Sequence, residues 1–242
     1  MKLTHLHCIA LLKGRRVGMA ALAVVLLAAG ADRASAVPIS NLYNTGVDNS
    51  NVDLPAGAID PHYKLVASDD PSFPGPNALV TNPPLPGTWI GNSSTSQWIS
   101  PNAQQAQPIG SEPPIGNAQG TYIYELTFDL TGLDPTLATI SGNWAVDALG
   151  LIFLNGNYVP GTTNFVGPGA LTHFTIPAGS TFLPHGNKLD FVVVNGPALS
   201  TGLRVDGLGG DAPGIPEPST VVLAGIGAVG LLVTRLRRGR QR

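Results

Sequence analysis

Apolar and polar side chains alternate with a period of two from Tyr122 to Leu133, in YIYELTFDLTGL. That is the period of a β-strand with one face on a core. ATISGNWAVDALGLIFLNG holds two more such runs, Thr139 to Val146 and Leu149 to Leu154, and Asn155-Gly156 behind them signals a tight hairpin turn. LTHFTIPAG, KLDFVVVNGP and GLRVDGLGG read as three further strands, with HYKLVAS and QWIS as strand-like runs upstream. Gly and Pro punctuate the chain every few residues, which breaks any long helix. Pro71 to Pro86 and Pro101 to Pro114 read as long Pro-rich loops at the sheet ends. This spacing predicts an all-β fold, an antiparallel β-sandwich.

The two ends break the pattern. Lys2, Lys13, Arg15 and Arg16 precede the apolar run Val17 to Ala31, and Ala34-Ser35-Ala36 supplies small residues for a cut after Ala36. This three-part order is that of a secretory signal peptide, with signal peptidase as its partner. At the other end Pro216-Glu217-Pro218 leads into the apolar run Val221 to Val233. Arg235, Arg237, Arg238, Arg240 and Arg242 follow, and the positive-inside rule keeps such a cluster cytoplasmic. Ser219 to Thr234 is sixteen residues. As a helix that is about 24 Å, short of a bilayer core of about 30 Å, so a transmembrane helix here is a transient anchor. Gly225-Ile226-Gly227-Ala228-Val229-Gly230 fits a dinucleotide fingerprint in spacing but lies inside the apolar run, so it predicts no nucleotide site. The chain divides into a signal peptide (1–36), a β-sandwich domain (37–213) and a C-terminal tail (214–242).

The order of Pro-Glu-Pro, short apolar helix and terminal arginines resembles the PEP-CTERM sorting signal. The resemblance implies an exported protein of a Gram-negative bacterium that makes exopolysaccharide. It also implies an exosortase, a membrane cysteine transpeptidase, as the enzyme that cuts near Pro216, Glu217 and Pro218.

Charge and cysteine narrow what the domain does. Ten of the thirteen basic residues lie in the two ends. The middle keeps Lys64, Lys188 and Arg204 against thirteen acidic residues, which argues against nucleic acid as a partner. The one cysteine, Cys8, lies in the signal peptide, so the exported domain has no thiol chemistry.

The series YIYELTFDL, IFLNGNYV, HFTIPAG and HGNKLDFVVVN is similar to galactose-binding-like jelly rolls, which accompany many sugar-active enzymes. The resemblance implies the jelly-roll fold and not a particular site. Trp89, in the loop PLPGTWIGNSS, and Tyr158, read as a loop residue just past the Asn155-Gly156 turn, are the candidate glycan-stacking residues. Trp98 and Trp144 sit in strand-like runs and are expected in the core. Asp48, Asn51 and Asp53, with Asn49 between and Asp60 nearby, could offer oxygens to Ca²⁺; the alternative is an Asx-rich turn that bonds its own backbone. No other cofactor is expected. His62, His173 and His185 are far apart, Glu112 and Glu125 fall in unrelated segments, and no nucleophile elbow occurs. Three readings stay open. They are a non-catalytic surface or matrix protein associated with exopolysaccharide or biofilm, a glycan-binding module on the same route, and a secreted carbohydrate-active enzyme.

Overall fold

A computed structural model describes residues 35–105, 117–196, 200–215, 225–227 and 229–230. Its compact β unit is Ala36–Gly214. Eleven strands build it: β1 (Ala36–Pro38), β2 (Ile59–Ser68), β3 (Asn77–Val80), β4 (Ile99–Ser100), β5 (Gly120–Phe128), β6 (Thr139–Val146), β7 (Leu149–Leu154), β8 (Asn157–Tyr158), β9 (Thr172–Ile176), β10 (Asn187–Asn195) and β11 (Leu203–Pro213). They hydrogen-bond as one antiparallel sheet in the order β8-β7-β10-β5-β2-β3-β4-β11-β6-β9, with β1 added on β11.

The sheet curls until its two halves pack face to face. Period-two burial in β5, β7 and β10 supplies one inner face. Phe191 of β10 meets Trp144 of β6 at 5.7 Å and Phe174 of β9 at 6.0 Å between ring centroids. Strands distant in sheet order therefore share one core, as a sandwich requires. Trp98 and Trp144 are fully buried, as expected. Asn155 and Gly156 both take positive φ, at 52° and 76°, and turn β7 into β8 as their sequence signals. Gly150 on β7 leaves room for the Trp144 indole, whose Cη2 lies 2.6 Å from where a Cβ would stand.

Three expectations need correction. The segment Pro71 to Pro86 is not loop throughout: β3 lies inside it, pairs with β2 and β4, and buries Ala78 and Val80. Prolines on both sides hide a four-residue strand whose inward positions are nonetheless apolar. QWIS contributes only Ile99 and Ser100 to a strand. Tyr158 belongs to the edge strand β8, not to a loop.

Candidate functional site

The Asp48 loop closes on itself. Asp48 Oδ1 accepts from the amides of Ser50 (2.7 Å) and Val52 (2.9 Å), and Asn51 takes a left-handed φ of 58°. This is the Asx-turn arrangement. Asp53 is exposed and bridges Val47 across the turn. Asp60 is buried instead, and its carboxylate accepts from the amides of Gly46 (2.7 Å), His62 (2.8 Å) and Tyr63 (3.0 Å). Burial pushes its carboxyl pKa up, and the three amides pull it partly back. Among the described residues no three His, Cys, Asp or Glu side chains gather as metal ligands.

Trp89 does not stand out into solvent. It is 7% exposed and packs on Trp98 with ring centroids 4.2 Å apart. Its surroundings are Ala145, Leu85, Ile90 and Leu171, a small second core. Loop composition could not show what folds over an indole. Beside it Asp147 has a carboxyl pushed up to about 6, chiefly by burial, with the Trp89 indole favouring the charged form. Tyr158 is 41% exposed and its hydroxyl meets Thr163 Oγ1 at 2.7 Å. Glu125 pairs with Lys188 at 2.8 Å across β5 and β10.

A feature with no single sequence signal lies at one end of β2, β5 and β10. It is a cleft of about 400 Å³ lined by Asn41, Tyr43, Asn49, Pro61, His62, Thr127 and Asp129, with Leu126, Phe128 and Gly186 completing it. Tyr43 and His62 stack with ring centroids 3.6 Å apart and planes within 5°. Register explains the meeting: Tyr63 pairs with Leu126 and Asn187 with Phe128, so residues 62, 127, 129 and 186 fall at adjacent strand ends. Asp60 ties the loop to β2 through Gly46 and His62 and so holds Tyr43 near the imidazole. The buried Tyr63 hydroxyl donates to the Tyr43 carbonyl at 2.8 Å. Next along the chain, Asn44 accepts from Leu208 N at 2.9 Å and donates to the Thr95 carbonyl at 2.9 Å. Asp129 Oδ1 accepts from Gly186 N at 2.6 Å, which fixes that carboxylate. Among the described residues the side chains of Asn41, Asn49 and Thr127 and the hydroxyl of Tyr43 make no hydrogen bond.

In the tail, residues 225–227 and 229–230 are helical. Pro216, Glu217, Pro218, the five arginines from Arg235 to Arg242 and the signal peptide up to residue 34 lie outside the described residues. Among the described residues no helix is long and apolar enough to cross a membrane.

Comparison with curated proteins gives no match. Among solved structures the chain is similar to the Stig cyclase Fisc from Fischerella sp. TAU, at 15% identity over 75% of this chain and all of that one, with a TM-score of 0.40. An apo-form cyclase from Fischerella sp. gives 14% identity, 76% and 100% coverage and a TM-score of 0.42. A GH26-CBM35 β-(1,4)-mannanase from Podospora anserina gives 14%, 77% of this chain, 29% of that chain and a TM-score of 0.26. Likenesses at this level carry no argument about activity. The family described as the PEP-CTERM protein-sorting motif matches residues 214–238. That motif implies an exosortase as processing partner and export by way of the membrane to the cell surface. The match begins one residue after the end of β11, and the chain therefore carries a PEP-CTERM sorting motif directly behind its β domain.

Proposed function

We propose that this protein is a non-catalytic surface or extracellular-matrix component of a Gram-negative bacterium, delivered by exosortase processing and associated with exopolysaccharide or biofilm. The carrying observation is the sorting motif at residues 214–238, joined to the domain without a linker. Its parts divide the work. The signal peptide starts export and is removed by signal peptidase. The apolar run then holds the chain in the membrane, and Arg235 to Arg242 keep the last residues cytoplasmic. Pro216-Glu217-Pro218 meets the exosortase on the outer side. A non-catalytic domain accords with its dispersed ionisable groups: Asp48 and Asp60 serve backbone amides, and Glu125 pairs with Lys188.

Intact mass of the chain, made with and without an exosortase in a Gram-negative host, tests the proposal. With the enzyme the tail is lost near residue 218. The double substitution Pro216→Ala and Pro218→Ala keeps the chain at full length in the membrane fraction. Equal removal of the tail without any exosortase would overturn the reading.

A further inference from the structure

We infer that the Tyr43–His62 cleft is a binding site for a neutral glycan. The lining selects the ligand class by exclusion as well as by fit. Among the described lining residues there is no lysine or arginine, and Asp129, 4.0 Å from His185 Nδ1, adds a carboxylate, so phosphate, sulfate or uronate groups would meet no permanently charged cation. A divalent cation would find one carboxylate, already engaged by Gly186 N, where Ca²⁺ takes six to eight oxygens. A purely apolar ligand would strand the amides of Asn41 and Asn49 and the hydroxyls of Tyr43 and Thr127. What remains is a ligand with many uncharged hydroxyls and an apolar face.

A pyranose ring has both. Its hydroxyls pair with the two amides, the two hydroxyls and the free oxygen of Asp129, and its C–H face lies on the stacked Tyr43–His62 wall. Nε2 of His62, shielded and without a partner among the described residues, is one more unsatisfied group in that wall. The volume of about 400 Å³ is at the small end for ligand sites and admits about one or two sugar rings. The site is also held ready. Asp60 and Tyr63 anchor the loop that carries Tyr43, and Gly186 N orients Asp129, so little ordering is left for the ligand to impose. This inference rests on the sorting reading for where such a glycan is met, and its binding chemistry does not.

The test is calorimetric titration and saturation-transfer NMR of the full chain in a detergent without a sugar headgroup. The probes are a panel of neutral hexose disaccharides, digalacturonate and CaCl₂ alone. At least one neutral disaccharide should bind saturably, and digalacturonate and Ca²⁺ should not. Tyr43→Ala should weaken that binding more than tenfold and Asn49→Ala about fivefold, with Thr175→Ala, on β9 and outside the cleft lining, unchanged as the control. Asn49 is exposed and its side chain makes no hydrogen bond among the described residues, so its variant tests the site even if Tyr43→Ala loses its fold. Absence of saturable binding by any neutral probe, binding confined to digalacturonate or Ca²⁺, or binding indifferent to Asn49→Ala would each overturn the inference. Each of these results leaves the processing assay, which reads the C-terminus, untouched.

Discussion

Asp147 shows at the scale of one residue what the fold imposes on the acidic composition. Its carboxyl is pushed up to about 6 because it is half buried against the second core. The unfolded chain releases this proton near pH 4, the folded chain near 6. Between those values the native state binds more protons, so stability from this group falls as pH rises through the window. Above pH 6 the full cost of the buried charge remains. Asp147→Asn removes the charge and keeps an acceptor for the Trp89 indole. It should raise stability at pH 7 by about 1 kcal/mol, after solvent screening is allowed for. That corresponds to about 2–4 °C in Tm for a domain of this size. Thermal melts across pH 3.5 to 8 check this: the gain should vanish below pH 4, and an equal gain at both ends would exclude charge burial as its cause. The same residues mark what the sequence could show. Asp48, Asn51 and Asp53 lie close enough in the chain for the Asx turn to be read locally. Trp89 was legible as a loop residue, but its burial depends on Trp98, Ala145 and Leu171 closing over it from elsewhere. The cleft joins Asn41 to Gly186, so no window of sequence contains it.

Among the elements, β11 is the hub: it pairs with β1, β4 and β6. Its glycines look alike in GLRVDGLGG and are not. A Cβ on Gly210 would stand 2.4 Å from the Thr139 carbonyl, 2.9 Å from Ile140 Cγ1 and 3.1 Å from Ile39 Cδ1. A Cβ on Gly209 would meet nothing within 4 Å. Gly210→Ala must therefore shift β11 against β6, and overpacking of this kind costs about 2–3 kcal/mol. Gly209→Ala should stay within about 0.5 kcal/mol of the parent. Urea unfolding distinguishes the pair: the midpoint drops for Gly210→Ala alone, at constant m. Comparable losses in both variants would show that strand entropy, not contact, sets the effect. Period two made β6, β7 and β10 legible because each runs uninterrupted with one face inward. β3 escaped because prolines surround it, and β1 because it coincides with the expected cleavage site. Neither β3 nor β1 exceeds four residues, and both exist through their partners more than through their own pattern.

For the whole molecule, one pairing fixes how the two ends of the domain relate. Ala36 pairs with Pro213, Val37 with Ala212 and Pro38 with Asp211. The chain enters and leaves the domain on neighbouring strands. Cleavage after Ala36 still leaves Val37 and Pro38 paired to β11. Among the described residues every strand pairing and every member of the main hydrophobic core falls within residues 36–213. Removal of residues 216–242 should then leave Tm within about 2 °C of the full chain, as expected for a fold built within residues 36–213. Near-UV circular dichroism from the buried Trp98 and Trp144 should also be unchanged. The same deletion should move the protein from the membrane fraction to the soluble fraction, because the apolar run and its arginines go together. Circular dichroism melts and fractionation of the two forms decide the matter. A truncated chain that aggregates, or melts more than about 5 °C lower, would make the tail part of the fold. An unchanged melt with lost membrane retention separates the two roles: the β domain holds its shape and its cleft, and the tail determines where they are delivered.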